Sequence, residues 1–374
     1  MRRRGSQHVE AQTSFAVLSI EGAAEVYGAI PITAETAATG HPFRRGSPLT
    51  SAFLAFDPRA MVLVVSWAFL SIAGGRQMFG ESLDSVSYFR YFNNLNSNPD
   101  FGASRFEIGY QAFAWVCKFV LGLDYNAFLL ATIAISLGLK FTLIWRYMSM
   151  PVIGALAYVL TFYFLHEYTQ FRAALGIGLV MWGVHKFVEG KWRAALVWYA
   201  LALLFHYSTI IVIAIAVVAR FVRSPKSIGI LGVVVAAAIF VFTFFGDVLL
   251  SFALRFNPLT EVYLYDRTVD NANLLSVPNL LMMAASLYAV VVGFLVRSDY
   301  HRTFLFLGLA SFVGLALFVT TVTLALRIRE VLFIGFMFAF LRSPPTPRDF
   351  PLVVLTLMAG AYTTWRGLGT LFEF

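Results

Sequence analysis

QFRAALGIGLVMWGVHKFVEGKWRAALVWYALALLFHYS, residues 170–208, decides the architecture. Its first part, 171–187, is an apolar run of the length at which short membrane-spanning helices begin, about 17 residues. Lys186, Lys191 and Arg193 cluster in the turn that follows, the pattern of a loop facing the cytoplasm. From Trp192 a second apolar run sets off and breaks at His206-Tyr207-Ser208 into halves, 194–205 and 209–222. Both flanks of that pair are basic, so two tilted short spans or a re-entrant hairpin fit equally. Either way His206 comes near the outer face or part-way into the membrane.

Working outward, further runs of spanning length lie at 61–75, 126–146, 151–166, 226–246, 277–296, 302–321, 324–341 and 351–365. The expectation is an all-α protein, a polytopic transmembrane helical bundle of about 10–12 spans. Composition agrees: 59% of residues are hydrophobic and 13% charged, where soluble domains carry about 25%. The single cysteine, Cys117, excludes an intramolecular disulfide framework and any CxxC cluster. The net charge of +8 falls in short clusters between apolar runs, which is not the continuous patch of a nucleic-acid binder. Residues 1–58, rich in Ala, Thr, Gly, Ser and Pro and interrupted by Glu21 and Glu25, read as a disordered or surface-lying cytoplasmic tail. Residues 59–374 form the membrane domain, with outer loops at 76–125 and 247–275.

The segment 106–123, FEIGYQAFAWVCKFVLGL, is long enough to cross but is interrupted by Glu107, Gln111 and Lys118. Laying it along the outer surface puts every basic cluster inside: Arg44/Arg45/Arg59, Lys140/Arg146, Lys186/Lys191/Arg193, Arg220/Arg223/Lys226, Arg297/Arg302 and Arg342/Arg348.

With that topology the polar residues that hydropathy leaves unexplained gather on the outer side. They are Asp84, Tyr88, Arg90 and Tyr91; Glu107 and Tyr110; His166, Glu167, Gln170 and Arg172; His206; and Arg327, Arg329 and Glu330. The 247–275 loop adds Arg255, Glu261, Tyr263, Tyr265, Asp266, Arg267 and Asp270. Charge in lipid is costly unless paired or wet, so such residues are functional candidates. Each has a plainer explanation. Asp84 and Glu107 would be solvated loop acids, Arg172 would snorkel to lipid phosphate, and His206 would cap the broken helix. Arg327 and Arg329 would pair with Glu330, yet two guanidiniums exceed one carboxylate, and a phosphate supplies the missing charge bidentately. No HExxH motif, Walker loop or Ser-His-Asp arrangement is present, so no metal and no cofactor is implied. Inverted or parallel halves are not visible in the sequence, which argues against a transporter.

At these residues the chain resembles the EpsG/Wzy-like family of bacterial polysaccharide polymerases, which make O-antigens and exopolysaccharides. The resemblance runs from Asp84 and Tyr88, through E-x-G-Y (Glu107, Gly109, Tyr110), to Arg172 opening an Ala/Gly-rich helix. It continues through a Gly-Lys turn to Ala202–Phe205, His206 and Ser208, and ends at Arg327 in LALRI. It implies a fold like that of membrane glycosyltransferases with polyprenyl donors. It further implies polymerisation of undecaprenyl-diphosphate-linked repeat units at the outer face of the bacterial inner membrane, without metal, the amino terminus cytoplasmic. Arg172, Arg327 and Arg329 would hold the lipid diphosphate. Glu107, Asp84 or His206 would take the acceptor proton, Glu107 being preferred. Tyr88, Tyr110 and Gln170 would contact sugar. The partners are then the lipid-linked glycan and the bilayer, with a chain-length regulator left open and no nucleic acid. A flippase or transporter of lipid-linked saccharide, an O-antigen ligase or envelope acyltransferase, and a non-enzymatic component of a polysaccharide machine are the alternatives.

Overall fold

A computed structural model describes residues 57–78, 83–98, 101, 106–222, 241, 275–293, 298–318, 322–343 and 346–372. Among them every regular element is helical. The order is α1 Pro58–Gly75, α2 Leu83–Asn94, α3 Ile108–Trp115, α4 Tyr125–Tyr147, α5 Pro151–His166, α6 Phe171–Val188, α7 Trp192–Phe205, α8 Thr209–Phe221, α9 Val277–Val291, α10 Asp299–Leu317, α11 Val322–Phe340 and α12 Phe350–Phe372. A wider π turn continues α3 over Val116–Val120, and another interrupts α5 over Val159–Tyr163.

Local chemistry sets the helix starts. Asp57 caps α1 by accepting from the Arg59 N–H at 2.9 Å, with Pro58 in the first turn where its missing N–H costs nothing. Asp124 caps α4 through the Ala127 N–H at 2.8 Å, and Ser298 caps α10 through the His301 N–H at 3.2 Å.

Among the described residues four helices are long and apolar enough to cross a membrane: α1, α4, α6 and α10. α5, α7, α8 and α9 are shorter and apolar. Valines and phenylalanines on the outside of the bundle, among them Val64, Val65, Phe69 and Val197, are exposed, as lipid allows and water does not. The fold is the polytopic helical membrane protein that the apolar runs indicate. All but residue 241 of the expected span at 226–246, all but residue 275 of the loop 247–275 and all but two of residues 1–58 lie outside the described residues. At about 1.5 Å per residue, Ile108–Trp115 with Val116–Val120 reaches about 20 Å, short of a hydrocarbon core of about 30 Å.

α6 and α7 form a hairpin in which Trp182 stacks on Trp198 at 5.6 Å, turned by Gly190 at φ +78°. α10 packs against α11, α1 against α4, and α9 against α12.

One reading of the basic clusters is corrected. Lys140 does not mark a cytoplasmic surface: it is 1% exposed, inside the bundle, in an ion pair with Glu167 of the turn before α6. Ser136 donates to the same carboxylate oxygen at 2.9 Å and Tyr158 to the other at 2.5 Å. An internal carboxylate so bonded lets a cation sit among apolar helices, and its sign then carries no topological information. Glu167 is itself wholly buried, as is His166, whose ring stacks on Phe162.

Candidate active site

The turn carrying His166 to Gln170 delivers Arg172 to the first turn of α6, where it meets Glu107 and His206. Glu107 is the N-cap residue of α3, 5% exposed, and its side chain makes no capping bond. The carboxylate turns instead to the protein interior and pairs with Arg172 through Oε2. Its other oxygen lies 3.3 Å from His206 Nδ1. Burial pushes the Glu107 carboxyl up, but His206 and the Arg172 charge outweigh it and hold the group below its ordinary value. Glu107 is therefore a carboxylate with a cation on one side and an imidazole on the other.

Aromatic rings wall this cluster. The Arg172 guanidinium carbon stands 4.7 Å from the Phe106 ring centre, and Nε donates to the Tyr88 hydroxyl at 3.4 Å. Tyr88 in turn contacts Phe106, Tyr110 and Phe171. Tyr88 comes from α2, Glu107 from the start of α3, Arg172 from α6 and His206 from the end of α7, so the site is assembled from four elements. Lys118 fixes the first two together by donating to the carbonyls of Phe92, Asn93 and Leu95 at 2.7–3.0 Å, at the end of α2.

Two glycines make the assembly close enough. A Cβ at Gly109 would lie 2.7 Å from the Leu204 carbonyl oxygen, and one at Gly176 would lie 2.6 Å from His206 Cβ. The first lets α3 rest on the end of α7; the second lets His206 settle against α6 one turn from Arg172. His206 also ends α7, its N–H bonded to the Ala202 carbonyl at 2.8 Å while Thr209 Oγ1 donates to its own carbonyl at 2.7 Å. The backbone thus serves as a cap and leaves the ring to face Glu107.

The EpsG family model matches residues 60–359. The chain belongs to the EpsG family. It is accordingly a membrane protein of polysaccharide biosynthesis. No curated protein matches it significantly, and no solved structure does.

The remaining candidate residues of this EpsG protein distribute as follows. Gln170 bridges away from the Glu107 cluster, its Nε2 donating to Glu330 Oε2 on α11 at 2.8 Å. Tyr110 is wholly buried, and its hydroxyl has no hydrogen-bond partner among the described residues. The Asp84 backbone lies in the first turn of α2; its side chain is outside the described residues, as are Arg255, Glu261, Tyr263, Tyr265, Asp266, Arg267 and Asp270. Arg327 and Arg329 do not share a face, because positions two apart on a helix diverge by about 200°. Arg329 turns to α9, where Nε donates to Asn279 at 2.9 Å, and stacks over Phe333 at 4.5 Å. Arg327 is half-buried and makes no hydrogen bond or ion pair among the described residues; three positions from Glu330, it lies one turn from the Gln170 tie. Among the described residues no three His, Cys, Asp or Glu side chains come together as metal ligands.

The roles of Phe106, Gly109, Gly176 and Lys118 were not legible from residue type alone. The E-x-G-Y spacing carried the one usable signal, a glycine two residues after the carboxylate.

Proposed function

We propose that this EpsG protein polymerises undecaprenyl-diphosphate-linked repeat units into a surface polysaccharide. The observation that carries the reading is the Arg172–Glu107–His206 cluster: a guanidinium, a carboxylate and an imidazole converge inside an aromatic wall. In the resting site Glu107 neutralises Arg172. An arriving lipid diphosphate offers the guanidinium a second, bidentate anion, with Arg327 supplying further charge. Arg172 exchanging partners would free the Glu107 carboxylate beside the acceptor sugar. The acceptor hydroxyl oxygen then bonds to the anomeric carbon of the donor, the bond from that carbon to the diphosphate breaks, and the hydroxyl proton passes to Glu107. Charge growing on the departing diphosphate is met by arginine. His206, at the same carboxylate, orients it.

Orientation follows from charge. The helix ends opposite the cluster carry Arg146, Lys186, Lys191, Arg193, Arg220, Arg302 and Arg342 against Glu189 and Asp299, so we place them in the cytoplasm and the cluster on the outer side of the inner membrane. Tyr88 lines the cluster where a sugar would stack.

The test is the size distribution of envelope glycans in a strain lacking this chain, complemented with wild type or Arg172→Ala. Collapse of a polymer ladder to a single repeat unit, rescued by wild type alone, is the expected result. An unchanged ladder would remove the assignment, and repeat units trapped on the cytoplasmic side would identify a flippase instead.

A further inference from the structure

Between α8, α10 and α11 runs a groove of about 600 Å³. That is within the range of small-molecule sites, roughly 300–1,000 Å³. Its lining includes Ile211, Ile215 and Ala219 of α8, Ala310 of α10, and Ile328 and Leu332 of α11, and every described lining side chain is apolar. At ~1.5 Å per residue, Ile211 to Ala219 extends about 12 Å along α8.

The pairings at its ends set the direction of the groove. α8 begins three residues after His206, whose Cβ would be met by a side chain at Gly176 of α6, so its first turn lies beside the Arg172 cluster. α8 ends at Phe221, and Arg220 there pairs with Asp299 at the start of α10 at 3.0 Å. α10 therefore runs back toward the cluster and α11 away from it, which puts the first turns of α11, with Arg327, at the same end as His206. The Ile211 and Ile328 end of the groove lies there; the Ala219 end lies toward the Arg220–Asp299 pair.

The wheel of α11 connects the two regions. At about 100° per residue, Arg327 lies about 60° from Glu330, which holds Gln170, and about 100° from Ile328, which lines the groove. The arginine is thus set between the Gln170–Glu330 tie and the apolar slot. Near that boundary Arg327 makes no hydrogen bond or ion pair among the described residues, so its guanidinium is on hand to hold the anionic head of a lipid bidentately.

We infer that the groove between α8, α10 and α11 receives the isoprenoid tail of a polyprenyl diphosphate whose head is held by Arg327 and Arg172. This rests on the proposed function and adds where the substrate lipid lies and how it enters, tail along the bundle and head against the arginines.

The test uses the purified full-length chain in phosphatidylcholine vesicles and a polyprenyl diphosphate bearing a diazirine on its tail. After irradiation the label should map to the groove walls of α8, α10 and α11. Ala310→Phe, which fills the slot, should reduce groove labelling about tenfold, the equivalent of about two methylenes left unburied. Ile215→Trp serves the same purpose should Ala310→Phe fail to purify as one species. Val197→Phe, at an exposed position of α7, should change nothing. Excess phosphatidylglycerol should fail to displace the probe, while unlabelled polyprenyl diphosphate should succeed. Label spread over all lipid-facing helices, or displaced equally by phosphatidylglycerol, would overturn the groove as a specific site. Label that still depends on Arg172 and Arg327 but maps elsewhere would overturn the groove and leave the diphosphate reading intact. Label indifferent to Arg172→Ala and Arg327→Ala would sink that reading, and the groove with it.

Discussion

Lys140→Met tests the internal ion pair that holds the turn before Arg172. In the folded protein Lys140 is 1% exposed and Glu167 wholly buried, so neither charge reaches water. Methionine fills most of the lysine's volume but leaves the Glu167 carboxylate with only the Ser136 hydroxyl at 2.9 Å and the Tyr158 hydroxyl at 2.5 Å. Removing one partner of a buried pair costs about 3–5 kcal/mol, because the other charge stays in a low dielectric. At about 2 °C per kcal/mol for a large chain, the unfolding midpoint should fall by roughly 6–10 °C. Scanning fluorimetry of the detergent-purified protein measures this. Lys140→Met with Glu167→Gln removes both charges and keeps both hydroxyl bonds, so it should recover all but about 1–2 kcal/mol. A single variant as stable as wild type, or a double variant no better than the single, would refute the reasoning.

Other consequences are open to direct measurement. Gly176→Ala puts a methyl 2.6 Å from His206 Cβ, so it should destabilise by about 1–3 kcal/mol and depress polymer formation beyond what reduced protein level explains. Because Glu107 sits below its ordinary value of 4.5 in the folded state, the stability it contributes is present above that pH and lost on acidification below it; the wild-type advantage over Glu107→Gln in urea titrations should shrink accordingly. Glu189, in the α6–α7 turn, is pushed up by partial burial but brought down to about 2 by Lys191, Tyr147 and Lys186, so the advantage over Glu189→Gln should persist at pH 4.5 and vanish as pH falls toward 2. Asn96→Cys in a Cys117→Ser background should react with an impermeant maleimide from outside intact cells; reaction only after permeabilisation would invert the orientation.

Much of the bundle could be read from hydropathy because lipid imposes so simple a rule on it. The run 126–146 became Tyr125–Tyr147 and 171–187 became Phe171–Val188, since an unsatisfied backbone is barred from hydrocarbon and only a full-length helix satisfies it. The same rule misled at Lys140. Its charge, taken alone, signals topology, whereas its partner, Glu167, is 27 residues away and invisible to a local window. Residue chemistry likewise singled out Glu107, Arg172 and His206, but not why they meet: the close approaches at Gly109 and Gly176 are three-dimensional, and a glycine in a sequence does not name its neighbour. Arg327 and Arg329 looked like a pair because they are close in sequence. Helical geometry separates them, giving one to Asn279 and α9 and leaving the other at the edge of the apolar groove.

Reconstitution shows whether Arg172 meets the charge of a departing diphosphate. The purified chain, in vesicles supplied with a lipid-linked repeat unit, should extend glycans one unit at a time and release one polyprenyl diphosphate for each linkage formed. Arg172→Ala, folded and inserted, should fall about 10²–10³-fold in that release, the effect of losing a charge-stabilising donor. Polymer formed by Arg172→Ala at the wild-type rate, or none formed by wild type, would rule out this role for Arg172.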